Sequence, residues 1–161
     1  MDRKFIKPIE DRFMRGLISG FIAGTLKDIP DFFLADLLKI KHLAFWDYAG
    51  EMILNRIPKV FIDHILAFLT EVTFSLGLGI IYALLIIPKF PTRHYLIRGT
   101  IYGCACWFTL MSVIKLFHIT PLFAWDILTP LLTLLFSGGY GMLLAYLDNF
   151  FAPSIKNPIY N

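Results

Sequence analysis

Lys27, Asp28 and Asp31, with Pro30 among them, lie inside an apolar stretch running from Gly16 to Leu38, long enough to cross a bilayer. A charged side chain at the bilayer centre costs about 3 kcal/mol or more unless it is paired or wetted. These residues therefore demand partners. Counted from the edge that holds the N-terminus, Glu71 on the next apolar stretch lies level with Asp31, with Lys27 about one turn nearer that edge. The four are expected to meet between the two spans. On a helix Lys27 and Asp31 form an i,i+4 pair, with Asp28 roughly 100° around from Lys27. Pro30 cannot donate to the carbonyl of Leu26, which predicts a kink and a free acceptor. One ammonium against three carboxylates leaves surplus negative charge, which would attract a proton or a cation. The same groups could instead fix helix register or meet a partner's charges. His64, seven residues before Glu71, falls on nearly the same face. Asp47 and Asp126, each following a tryptophan, are possible accessory groups.

Other chemistry is poorly supported. His42, Asp47, Glu51, Asp63, His64, His118 and Asp126 are of metal-ligand types, but their spacings match no closed zinc pattern, and no metal or cofactor is expected. Ser75 and Ser137 precede glycines without the G-x-S-x-G context or a histidine at matching depth. No catalytic residues, and no enzyme, are expected. Phosphate-cradling loops are absent, since no G-K-[ST] follows the glycines. Cys104 and Cys106 point to different helix faces and read as small apolar residues. The net charge of +3 is scattered, which argues against nucleic acid. The Asn157-Pro158-Ile159-Tyr160 docking-like string reads better as part of a flexible tail over 149–161.

The elements that must position these residues are membrane helices. The chain is 57% apolar and 17% charged, with a mean hydropathy of +0.67, against roughly 45–50% and 25% in soluble domains. Four spans are predicted, at about 16–38, 61–87, 99–117 and 129–147, all helical because lipid satisfies no open backbone. The expected fold is thus an all-α integral membrane protein in a single domain, within the cell membrane. Counting Lys and Arg favours both termini in the cytoplasm, nine against five. Phe45, Trp46 and Tyr48 suit a short interfacial helix over 43–56, ending near Pro58. Residues 120–128 read as its counterpart, before Thr129 as N-cap and Pro130 in the first turn.

The word "counterpart" reflects an internal repeat. Arg15-Gly16-x-Ile18-x-Gly20 returns as Arg98-Gly99-x-Ile101-x-Gly103. Ser75-x-Gly77-x-Gly79-x-x-x-Ala83 returns as Ser137-x-Gly139-x-Gly141-x-x-x-Ala145. Two tandem two-helix units follow, over 1–87 and 88–148, sharing one orientation in the membrane. Gly16, Gly20 and Gly24, and likewise Gly99 and Gly103, form stripes that let helix backbones approach closely. The paired Gly77/Gly79 and Gly139/Gly141 are expected at helix contacts, where they could also loosen the helix. The second unit lacks the charges: Lys27, Asp28, Asp31 and Glu71 align with Leu110, Met111, Ile114 and Thr133. The function expected is a small proton- or cation-linked transport or permeation component, with Asp31 and Glu71 as the proton or cation sites and Lys27 as their counter-charge, in a homo-oligomer or with a larger membrane partner. Its rival is a non-catalytic assembly or interaction subunit.

Overall fold

The computed structural model describes residues 8–34, 44–117 and 127–153. Among them the chain is all helical, with no strand. Helix α1 spans Arg12–Phe32, α2 Phe45–Leu54, α3 Phe61–Lys89, α4 Tyr95–Leu116 and α5 Leu128–Phe151. Three of these, α3, α4 and α5, are long and apolar enough to cross a membrane. Their outward faces carry Leu69, Ile101, Phe108 and Leu135, more than half exposed. Such surfaces belong in lipid, and they mark the protein as membrane-embedded.

The helix ends have local causes. Asp11 caps α1, its Oδ1 accepting from the backbone N–H of Phe13 at 2.8 Å, so the helix starts at Arg12, ahead of Gly16. It runs through Pro30 to Phe32, whereas the span to Leu38 passes beyond the described residues. The predicted short helix forms as α2 and stops at Asn55, whose φ of 53° is a left-handed terminus. Asp63 caps α3 by accepting from the N–H groups of Lys59 and Val60, and it holds Arg56 through a two-pronged ion pair. Helix α5 starts at Leu128, so Thr129 and Pro130 lie within its first turn and Ile127 takes the cap position. The proposed short helix over 120–128 falls almost wholly outside the described residues.

One feature of α3 has no counterpart in the sequence reading. Tyr82–Ile86 form a π-helical turn, in which the N–H of Ile87 reaches the carbonyl of Tyr82. Pro88 follows at once; its ring would crowd the Leu84 carbonyl in a regular helix, and a widened turn relieves that contact.

Packing proceeds in two antiparallel pairs, α1 on α3 and α4 on α5. A Cβ added to Gly16 would meet the Gly79 carbonyl oxygen at 2.6 Å, and one on Gly20 would meet that of Ser75 at 2.7 Å. In the other pair Gly99 sits on the Gly141 carbonyl and Gly103 on that of Ser137, closer still. Ala83 and Ala145 complete the two contacts, against Gly16 and Gly99 respectively. The backbones approach so closely that only hydrogen fits between them. Gly77 and Gly139 do not take part: nothing lies within 4 Å of a Cβ at either position. A two-residue offset places them about 200° around the helix from Gly79 and Gly141, on the outward face.

The pairs are joined through α1 and α5 and by tyrosines. Tyr140 Oη donates to the Ser75 carbonyl at 2.8 Å, and Tyr102 Oη to that of Leu78 at 2.8 Å. Tyr48 of α2 buries against Met111 and Ile114 of α4, so the short helix also bridges the pairs.

Candidate functional site

The α1–α3 register decides which charged groups meet. Gly16 faces Gly79, Gly20 faces the Ser75 carbonyl and Gly24 the Ser75 side chain, so Glu71, one turn from Ser75, falls beyond Gly24 toward Lys27. Helical side chains lean toward the N-terminus, which carries the long Lys27 stem back toward that level. Lys27 Nζ lies 2.5 Å from Glu71 Oε1 and 3.1 Å from Asp28 Oδ1, with the Phe45 ring centroid at 3.6 Å. All three charged residues are buried, none more than 8% exposed. Ser75 Oγ donates to Glu71 Oε1 at a long 3.4 Å.

Asp28 is the less satisfied carboxylate. Apart from the Lys27 ammonium at 3.1 Å, neither oxygen has a donor among the described residues. Lys27 and Glu71 line a cavity of about 40 Å³, with Ser75, Trp107, Ser137 and Tyr140 among others. That volume holds a few waters. Both helix pairs contribute to its wall.

Asp31 is placed one turn beyond this group. Its Oδ2 accepts from the Phe45 N–H at 2.7 Å, which satisfies a free donor at the start of α2. Depth counted along each span set Asp31 level with Glu71; the glycine register shifts Glu71 to the level of Lys27 instead. Asp47 also caps α2, accepting from the Ala44 N–H at 2.8 Å. Burial, together with the Asp31 and Asp47 charges, raises the Tyr48 phenol above its ordinary range, so it stays protonated. His64 is exposed on a rim with Phe32, Trp46 and Phe61, and is not brought to the cluster. Asp126 lies outside the described residues. No group of three metal-ligand side chains forms among the described residues.

No protein-family model, curated protein or solved structure matches this chain. The chemistry must therefore be argued from these side chains alone.

Sequence reasoning missed two buried groups. Arg15 Nε donates to Asp148 Oδ1 at 2.9 Å, tying the start of α1 to the end of α5, with both residues buried. The signal was a lone acid near the end of the last span, at the level of a leader arginine. Glu51 is 1% exposed, and neither carboxylate oxygen has a partner among the described residues. Burial raises its carboxyl above the usual range. In the second pair, Trp107 stands four residues after Gly103, where the first pair has Gly24. Its Nε1 donates to Thr133 Oγ1 at 3.0 Å, so an indole fills the space that Lys27 and Glu71 occupy opposite.

Proposed function

We propose that this chain is a four-span membrane protein, and that its Lys27–Asp28–Glu71 cluster binds a proton or small cation within a transport or permeation component. The observation that carries the reading is a buried ammonium, Lys27, held between two buried carboxylates, Asp28 and Glu71, with Lys27 and Glu71 on the wall of a cavity large enough for water. Lys27 is the counter-charge that tunes the two acids. Asp31 anchors α2 and replaces Asp28 in none of these roles.

Several features support α1 as the fourth span. Its 21 residues extend about 30 Å, a bilayer's hydrocarbon thickness. Its buried face holds Lys27, Asp28 and Asp31, while Phe21, Leu26 and Ile29 are exposed. The matched glycine contacts of the two pairs support a tandem duplication. The Lys and Arg balance supports cytoplasmic termini in a cell membrane. A cavity of about 40 Å³ is not a pathway, so the reading implies a homo-oligomer or a larger membrane partner.

A second reading, a non-catalytic assembly subunit, is favoured by one observation: Lys27 is neutralised within its own chain by two carboxylates. Reconstituted vesicles with a pH-sensitive dye separate the two. Transport requires a flux that Asp28→Asn and Glu71→Gln each abolish while the protein stays folded. Wild-type vesicles without flux, together with variants that lose a co-purifying partner, would establish the subunit instead.

A further inference from the structure

A second cavity lies at the other end of the bundle. Between the end of α3 and the start of α4 is an open groove of about 760 Å³. Its mouth carries Lys89, His94 and Arg98, and no acidic residue lines it. Below them Ile97, Ile101 and Ala105, spaced one turn apart along α4, continue the groove toward mid-membrane. Ile97 and Ile101 are 59% and 64% exposed.

Arg98 is the informative residue. It occupies the place in α4 that Arg15 holds in α1, each directly before the first packing glycine. Arg15 finds Asp148, seven residues after Gly141. Seven residues after Gly79 stands Ile86, and the extra residue of the π turn would bring Ile87; neither carries charge. Arg98 instead donates through Nε to Tyr82 Oη at 3.2 Å and through Nη1 to the Phe90 carbonyl at 2.9 Å. Two neutral acceptors hold the guanidinium, and the Asp148 carboxylate, already bonded to Arg15, acts on it as a more distant charge.

We propose that this groove binds one anionic phospholipid, its phosphate between Arg98 and Lys89 and an acyl chain along Ile97, Ile101 and Ala105. The groove supplies both halves of such a ligand: a basic mouth with no acidic residue in its lining, and an exposed apolar channel leading from it. In the orientation proposed above the mouth faces the cytoplasmic leaflet, which is rich in anionic lipid.

Native mass spectrometry of the full chain in mild detergent tests this, titrating dioleoyl phosphatidylglycerol against dioleoyl phosphatidylcholine. Two cations at about five-fold each give the anionic lipid an advantage of about twenty-five-fold. Lys89→Gln should weaken phosphatidylglycerol about five-fold and leave phosphatidylcholine unchanged. Lys89 is exposed and makes no structural bond that its loss would disturb. Arg98→Gln should have the larger effect; if it fails to fold, Ile101→Trp serves in its place by blocking the acyl channel and weakening both lipids. Equal affinity for the two headgroups, or a preference that Lys89→Gln leaves undiminished, would overturn the proposal. So would displacement of phosphatidylglycerol by millimolar inorganic phosphate, which would mark a site for free anions.

Discussion

The α1–α3 and α4–α5 pairs use the same backbone contacts and fill them differently. In both, glycines spaced four apart rest on carbonyls of the facing helix, and an alanine closes the contact. One turn beyond, the first pair has Gly24 against the Ser75 side chain with Lys27 and Glu71 paired next to it, whereas the second has Trp107 bonded to Thr133. The glycines set how closely the helices lie; the next residue on the stripe decides whether the space becomes an ionic site or an apolar plug. Packing and chemistry are thus separable in this fold.

The largest effects should fall where the pairs are alike. Gly16→Leu and Gly99→Leu each force a side chain into a backbone contact and should cost about 3 kcal/mol or more, read by unfolding in mild detergent. If only one of them mattered, the equivalence of the pairs would be lost. Ile114→Asp probes where they differ. Asp31 is tolerated because the Phe45 N–H meets it, but Ile114 is 1% exposed against Tyr48 and Met111. A carboxylate there should cost about 3 kcal/mol; wild-type stability would mean that the second pair also has donors to offer.

A smaller, pH-dependent effect belongs to Glu51, on the helix bridging the pairs. Its raised folded-state value means that the folded chain holds this proton more tightly than the unfolded one. Stability should be fullest below the ordinary carboxylate range and fall as pH rises through the raised value. Glu51→Gln should flatten that fall; an unchanged pH profile would assign it to other groups. Smallest of all, Gly77→Ala and Gly139→Ala should stabilise by up to about 1 kcal/mol each, since open space surrounds both and alanine favours the helix. A loss at either would reveal a neighbour on that face.

Much of the fold was legible because lipid simplifies it. Long apolar runs had to be helices, and the small-residue spacing identified the faces on which Gly16, Gly20, Gly99 and Gly103 pack. Gly77 and Gly139 were misjudged because a repeated motif does not say which of its members touches a neighbour. The π turn escaped notice because Pro88 acts backward on the turn before it. The site was legible in its membership but not in its level. Asp31 was set beside Glu71 by counting depth, whereas the register follows from carbonyl contacts that no residue count supplies. Arg15 and Asp148 sit at opposite ends of the chain, and only the closed bundle brings them together.

The pairing of Lys27 with Glu71 is open to a direct measurement, a double-mutant cycle on unfolding free energy in mild detergent. Lys27→Met and Glu71→Gln should each be strongly destabilising, by about 3 kcal/mol or more for the change that strands a buried charge. The double variant should be more stable than their sum predicts, with a coupling of about 2 kcal/mol. Strict additivity would contradict the pairing, and with it the view that α1 and α3 hold their charges in common.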